Sequence, residues 1–106
     1  MTTITEDYCS RDIYRLLREK GFDGEIHTTF DKDGYTQASI TLQMAMKWLR
    51  EVHKLHIEPH IQTYKNYNGN IYNLDGELLL GFPSESPEQA CEAAIKYCLE
   101  HLIYDS

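Results

Sequence analysis

One stretch limits the fold more than any other: Thr41 to Leu55, TLQMAMKWLREVHKL. Leu42, Ala45, Met46, Leu49 and Val52 recur at three- and four-residue steps, which places them on one stripe of an α-helix. Gln43, Lys47, Arg50, Glu51 and Lys54 fall on the opposite side. Thr41 stands where an N-cap belongs, because its hydroxyl can accept from a free backbone N–H of the first turn. Trp48 lies beside the stripe and is expected to seal the edge of a core. A helix this short draws its stability from packing its apolar stripe. The flanking segments must therefore supply a wall, and their patterns read as strands.

Downstream, His56 to Lys65 alternates: Ile57, Ile61 and Thr63 face one way, and His56, Glu58, His60, Gln62 and Tyr64 the other. Pro59 has no N–H to give a neighbour, so this should be an edge strand. Asn66 to Asn70, NYNGN, is dense in turn formers and reads as a turn. Ile71 to Leu74 is a second strand, and Asp75-Gly76 fits a two-residue hairpin turn. Glu77 to Phe82, ELLLGF, is the most apolar strand. Its consecutive leucines occupy both faces, which predicts cover on both sides. Ser86, Pro87 and Gln89 open a last helix as cap, first residue and reciprocal capping partner. Its buried stripe is expected to be Cys91, Ala94, Ile95, Cys98 and Leu102.

Upstream, Ser10 caps a short helix with Ile13, Leu16 and Leu17 on its stripe, ending at Gly21. Residues 1–9 read as frayed. Residues 25–40 are consistent with one strand, two strands or a loop around the turn Asp31-Lys32-Asp33-Gly34. That turn is no EF-hand, because Thr36 and Leu42 stand where the loop needs glycine and glutamate. The chain is thus expected to be a single domain, 1–106. Its class is α+β: an antiparallel three- to four-stranded meander sheet packed with three amphipathic helices.

Charge narrows the function. Ten basic and seventeen acidic side chains leave a net charge of −7, the wrong sign for ordinary nucleic-acid binding or for an anionic membrane surface. The excess serves solubility, or it imitates the phosphates of DNA. No run of about 20 apolar residues exists to span a bilayer. The polar N-terminus lacks the pattern of a signal peptide, so a location in the cytoplasm of whatever cell makes the chain is expected. Of the three cysteines, Cys91 and Cys98 are about 10 Å apart along a helix, too far to bridge. They read as inert core thiols, and Cys9 as a thiol near a mobile end without a base.

Two groups of residues have the composition of a site. His56, Glu58 and His60 project from one strand face, with His53 nearby, and are the only set with metal-ligand character. Successive members are about 7 Å apart, which suits a polar strand surface better than a shared ion. Tyr64, Tyr67 and Tyr72 surround NYNGN with asparagines between them, a composition suited to protein contacts and also to ordinary hairpins. No phosphate loop or nucleophile elbow is present, and no cofactor is expected.

Three blocks, DYCSRDIYRLLREKGFDGEI, ITLQMAMKWLREVHKLHIEP and SPEQACEAAIKYCLEHLI, resemble a family of short, uncharacterised proteins from gut Bacteroidetes genomes associated with phages and other mobile elements. The resemblance implies an α/β/α-sandwich-like fold and a bacterial or phage setting, and brings no catalytic residues. The expected function is a non-enzymatic accessory or protein-interaction module with an unknown protein partner, a homodimer being compatible. The alternatives are an acidic nucleic-acid-mimicking inhibitor of a host defence enzyme and, third, a metal-dependent enzyme.

Overall fold

In the computed structural model, which describes residues 8–30, 32–63 and 66–103, the chain is α+β. Helix α1 spans Arg11–Glu19, and β1 (His27–Phe30) and β2 (Thr36–Ser39) follow. Helix α2 spans Leu42–His53. Then come β3 (His56–Thr63), β4 (Asn66–Tyr72), β5 (Leu78–Ser84) and α3 (Pro87–Tyr97), which runs into a π-helical turn, Cys98–Leu102. Strands β1 and β2 form a two-stranded antiparallel sheet, and β3, β4 and β5 a three-stranded meander with β4 in the centre. Residues 25–40 thus resolve as a hairpin, His27 opposite Ser39 and Phe30 opposite Thr36.

The helix starts follow from their caps. Ser10, Thr41 and Ser86 are extended, and their hydroxyls accept from the N–H groups of Ile13, Met44 and Gln89; each such cap stabilises by about 1 kcal/mol. Helix α2 ends differently. Lys54 takes up φ 59°, and the Leu55 N–H donates back to the Leu49 carbonyl at 3.1 Å. A left-handed residue closes this helix as glycine more often does.

Which face of α2 is buried differs by one step from the spacing argument. Trp48 is 7% exposed and Val52 54%. The buried stripe is Leu42, Ala45, Trp48 and Leu49. Phe22, just after α1, accounts for the change. Its ring meets Trp48 edge-on at 5.6 Å, and the His53 ring also packs edge-on against the indole, at 4.7 Å. The large indole therefore fills the core that Val52 would have entered. In the last helix the π-helical turn inserts an extra residue, so Leu99 is fully buried and Leu102 only half-buried.

Helix α3 lies against all three strands of the meander. Helix α2 touches β3 and α3, and α1 packs on α3 and the π-helical turn. One core joins these elements: Ile13, Leu17, Ile40, Leu42, Leu49, Ile71, Ile95 and Leu99 are each at most 2% exposed. Every such aliphatic side chain contributes roughly 1.5–3 kcal/mol of transfer free energy. Cys9 belongs to this core. Its N–H donates to the Ile40 carbonyl at 2.8 Å, and the residue is 6% exposed. The expectation that residue 9 is frayed is therefore corrected.

The NYNGN segment is strand, not turn, and Gly69 shows why. A β-carbon there would lie 2.1 Å from the backbone carbonyl oxygen of Ala90 in α3. The glycine exists to let a helix approach the central strand. The hairpin after β4 has a three-residue loop rather than two. The Gly76 N–H donates to the Asn73 carbonyl, the Asn73 N–H to the Glu77 carbonyl, and Gly76 takes φ 81°. The Asn73 side chain accepts from the N–H groups of Asp75 and Glu77, which holds the loop in that form.

Candidate functional site

The cross-strand register divides the meander into two faces. Ile57, Gly69, Ile71 and Phe82 share the face under α3. His56, Glu58 and His60 from β3, Asn68, Asn70 and Tyr72 from β4, and Gly81 and Pro83 from β5 share the other. Helix α3 lies on the first face, and the second meets the end of α2 at Arg50 and Lys54. Cover on both sides of the leucine strand, expected from ELLLGF, is therefore corrected. Leu78, Leu79 and Leu80 are 58%, 43% and 37% exposed, and Leu74 at the hairpin tip is 76% exposed. The physical reason is a register shift between Ile71 and Tyr72: Leu80 pairs with Ile71 and Leu78 with Tyr72, leaving Leu79 as the extra residue of a bulge. Strand β5 is also an edge of its sheet.

The sequence candidates separate on this scaffold. His56 and Tyr72 are directly opposite, with ring centroids 6.2 Å apart. The His56 imidazole sits 3.8 Å from the Glu58 carboxylate. His60 is four pairs along the ladder, opposite Asn68. His53 turns away from all three and packs on Trp48. Among the described residues no three His, Cys, Asp or Glu side chains come together as metal ligands. Tyr67 shares the α3 face with Gly69 and Ile71, opposite Ser84, whose hydroxyl donates to the Gln89 side chain on α3. Tyr72 is on the open face, so Tyr67 and Tyr72 cannot contact one partner side by side. Tyr64 lies outside the described residues.

Where the open face meets the end of α2, it deepens into a cleft of about 520 Å³. Its walls are Arg50 from the last turn of α2, Lys54 from its cap, His56 and Glu58 from β3, Tyr72 from β4, and Asn73, Leu74 and Gly76 from the hairpin. Arg50 and Lys54 are the members that sequence reasoning did not connect with His56 and Tyr72. They read as the solvated side of a helix. The signal was there in the short joint between α2 and β3, which folds that helix side over the start of the strand.

The three thiols are poor nucleophiles. Cys9, Cys91 and Cys98 are buried and unpaired. Burial pushes each pKa up to about 12, and nearby carboxylates of Glu92 and Glu88 add to the rise at Cys9 and Cys91. No described helix is long and apolar enough to cross a membrane. No protein-family model matches the chain, and neither a curated protein nor a solved structure matches it.

Proposed function

We propose that the chain is a non-enzymatic protein-interaction module and that the open face of the meander, with the β5 edge, is its contact surface. The supporting observation is the contrast within one sheet. Ile57, Gly69 and Ile71 are closed off beneath α3, while Leu78 and Leu79 on the β5 edge and Leu74 at the hairpin tip stay exposed. A contiguous exposed apolar patch on a small soluble chain marks a contact site more often than a decoration. A free strand edge adds backbone donors and acceptors that an incoming strand can use. Tyr72 and Asn68 supply adaptable polar contacts, and Asn70 holds the Tyr72 hydroxyl from beneath the surface. The setting in a phage or other mobile element, in a bacterial cytoplasm, is the contribution of the sequence resemblance.

The nucleic-acid-mimicking alternative has less support. The carboxylates of Asp12, Glu25, Glu51 and Glu58 each lie within 4.0 Å of a base, whereas imitation of a phosphate row needs carboxylates ranked beside one another.

Affinity capture from the native host with the wild-type chain and a Leu78→Asp, Leu79→Asp variant tests the proposal. Partners retained by the wild type and lost by a folded variant are the expected result. Equal retention by both would move the contact surface elsewhere. Light scattering across a concentration series separates a partner protein from a second copy of the chain.

A further inference from the structure

We propose that the cleft between the end of α2 and the β4–β5 hairpin is a binding site for a small organic monocarboxylate with an aromatic or aliphatic body. Its volume of about 520 Å³ falls in the range of small-molecule sites. Its walls offer two kinds of surface. His56 and Tyr72 present neighbouring rings, and Leu74 an aliphatic side chain. Arg50 and Lys54 line it as well and bring two cations to it, in a chain whose net charge is −7. The Lys54 ammonium donates to the Glu51 carbonyl at 2.9 Å and keeps further N–H donors for a ligand. Among the described residues no hydrogen bond or ion pair engages the Arg50 guanidinium.

The charge balance chooses the ligand class. Glu58 also lines the cleft, so the two cations leave one net positive charge when His56 is neutral. That matches a monoanion. A phosphate dianion would bring a second negative charge toward the Glu58 carboxylate. The planar fork of arginine fits a carboxylate through two parallel N–H donors. The ligand's body then lies against His56, Tyr72 and Leu74, where burial of apolar surface adds affinity. This site needs no protein partner and stands independently of the interaction proposed above.

Amide NMR titration of the whole chain at constant ionic strength provides the test, with benzoate, phenyl phosphate and benzyl alcohol as probes. Benzoate is expected to saturate with a dissociation constant on the order of 1 mM, fitting so small a probe. Its shifts should centre on Arg50, Lys54, His56, Tyr72 and Leu74. Phenyl phosphate should bind more weakly, and benzyl alcohol should not saturate over the same range. Arg50→Ala should weaken benzoate about tenfold or more with the thermal midpoint unchanged, since the side chain is exposed. Arg50→Lys should fall between. Shifts that never saturate, that map elsewhere or that survive Arg50→Ala would overturn the site. Tighter binding of phenyl phosphate would overturn the ligand class.

Discussion

The two faces of the β3–β5 sheet are made of the same three strands yet obey different rules. Under α3 the centre of the sheet is closely fitted: Gly69 has no room for a methyl, and Ile57 and Ile71 are 5% and 0% exposed, while Ile61 and Leu80 farther out on the same face stay partly in water. On the open face, polar groups satisfy one another along the surface. The Asn70 side chain donates to the Tyr72 hydroxyl at 3.2 Å and lies over Gly81. His56 leans on Tyr72 and Glu58. The comparison teaches that stability belongs to one face and leaves the other free for recognition. Substitutions matched across the sheet can break that division.

The widest difference is expected between two glycines. At Gly69 a β-carbon would come within 2.1 Å of the Ala90 carbonyl oxygen and 2.7 Å of its carbon. Backbone cannot rotate away, so α3 would have to lift from the sheet. Gly69→Ala should cost about 3 kcal/mol or more. At Gly81 the nearest atom is the Asn70 side-chain oxygen at 2.8 Å, the far end of a side chain rather than backbone. Gly81→Ala should cost about 1 kcal/mol or less. Urea midpoints of the two variants decide the matter, and similar losses would mean that the faces are not energetically distinct.

Next in size is a matched pair of aliphatic truncations. Ile71→Ala empties a fully buried position and should lose about 2–5 kcal/mol. Leu78→Ala removes a side chain that is 58% exposed and should change stability by about 0.5 kcal/mol or less. A large loss at Leu78 would show that the leucine edge is part of the fold and not a surface held for a partner.

The covered face was more legible than the open one. Ser10, Thr41 and Ser86 announced their helices because capping is a local interaction, decided within four residues. The stripe of α1, and that of the last helix as far as Cys98, followed from spacing for the same reason; beyond it the π-helical turn buried Leu99 in place of Leu102. Trp48 and Val52 exchanged roles because the competitor for that space, Phe22, comes from another part of the chain. NYNGN was opaque because Asn and Gly carry two meanings. They make turns, and they also make a strand thin enough for close approach, and only the position of Ala90 distinguishes the two. The leucine run has the same defect: three consecutive leucines say that a strand is apolar without saying what lies over it. The cleft was half legible. His56, Glu58 and Tyr72 stood out by type, whereas Arg50 and Lys54 joined them only through the tertiary fold.

Thiol chemistry reads the covered side from within. Burial holds Cys9, Cys91 and Cys98 at about 12 against an ordinary value of 9.0. The sign is set by a raised folded value: the protonated thiols' contribution to stability is complete below pH 9 and is lost as pH climbs toward 12. At pH 8 the native thiolate fraction should be about a thousandfold below that of the unfolded chain. Alkylation of the native protein should therefore be slow at all three positions and fast in denaturant. One rapidly labelled cysteine would mark a part of the core that opens.

The smallest expected effect lies at the joint between the two faces. His53 ends α2, its ring rests on Trp48, and its Nε2 is buried without a hydrogen-bond partner. Desolvation lowers its pKa below the ordinary 6.5, so the neutral ring is the form that fits. A lowered folded value contributes stability above pH 6.5 that is lost as pH falls through the folded pKa, because the unfolded chain takes up the proton first. His53→Phe keeps a flat ring against the indole and removes the proton site. The variant should match the wild type at pH 8 and lose less stability between pH 6.5 and 5. Equal acid sensitivity in both proteins would assign the loss to groups other than His53.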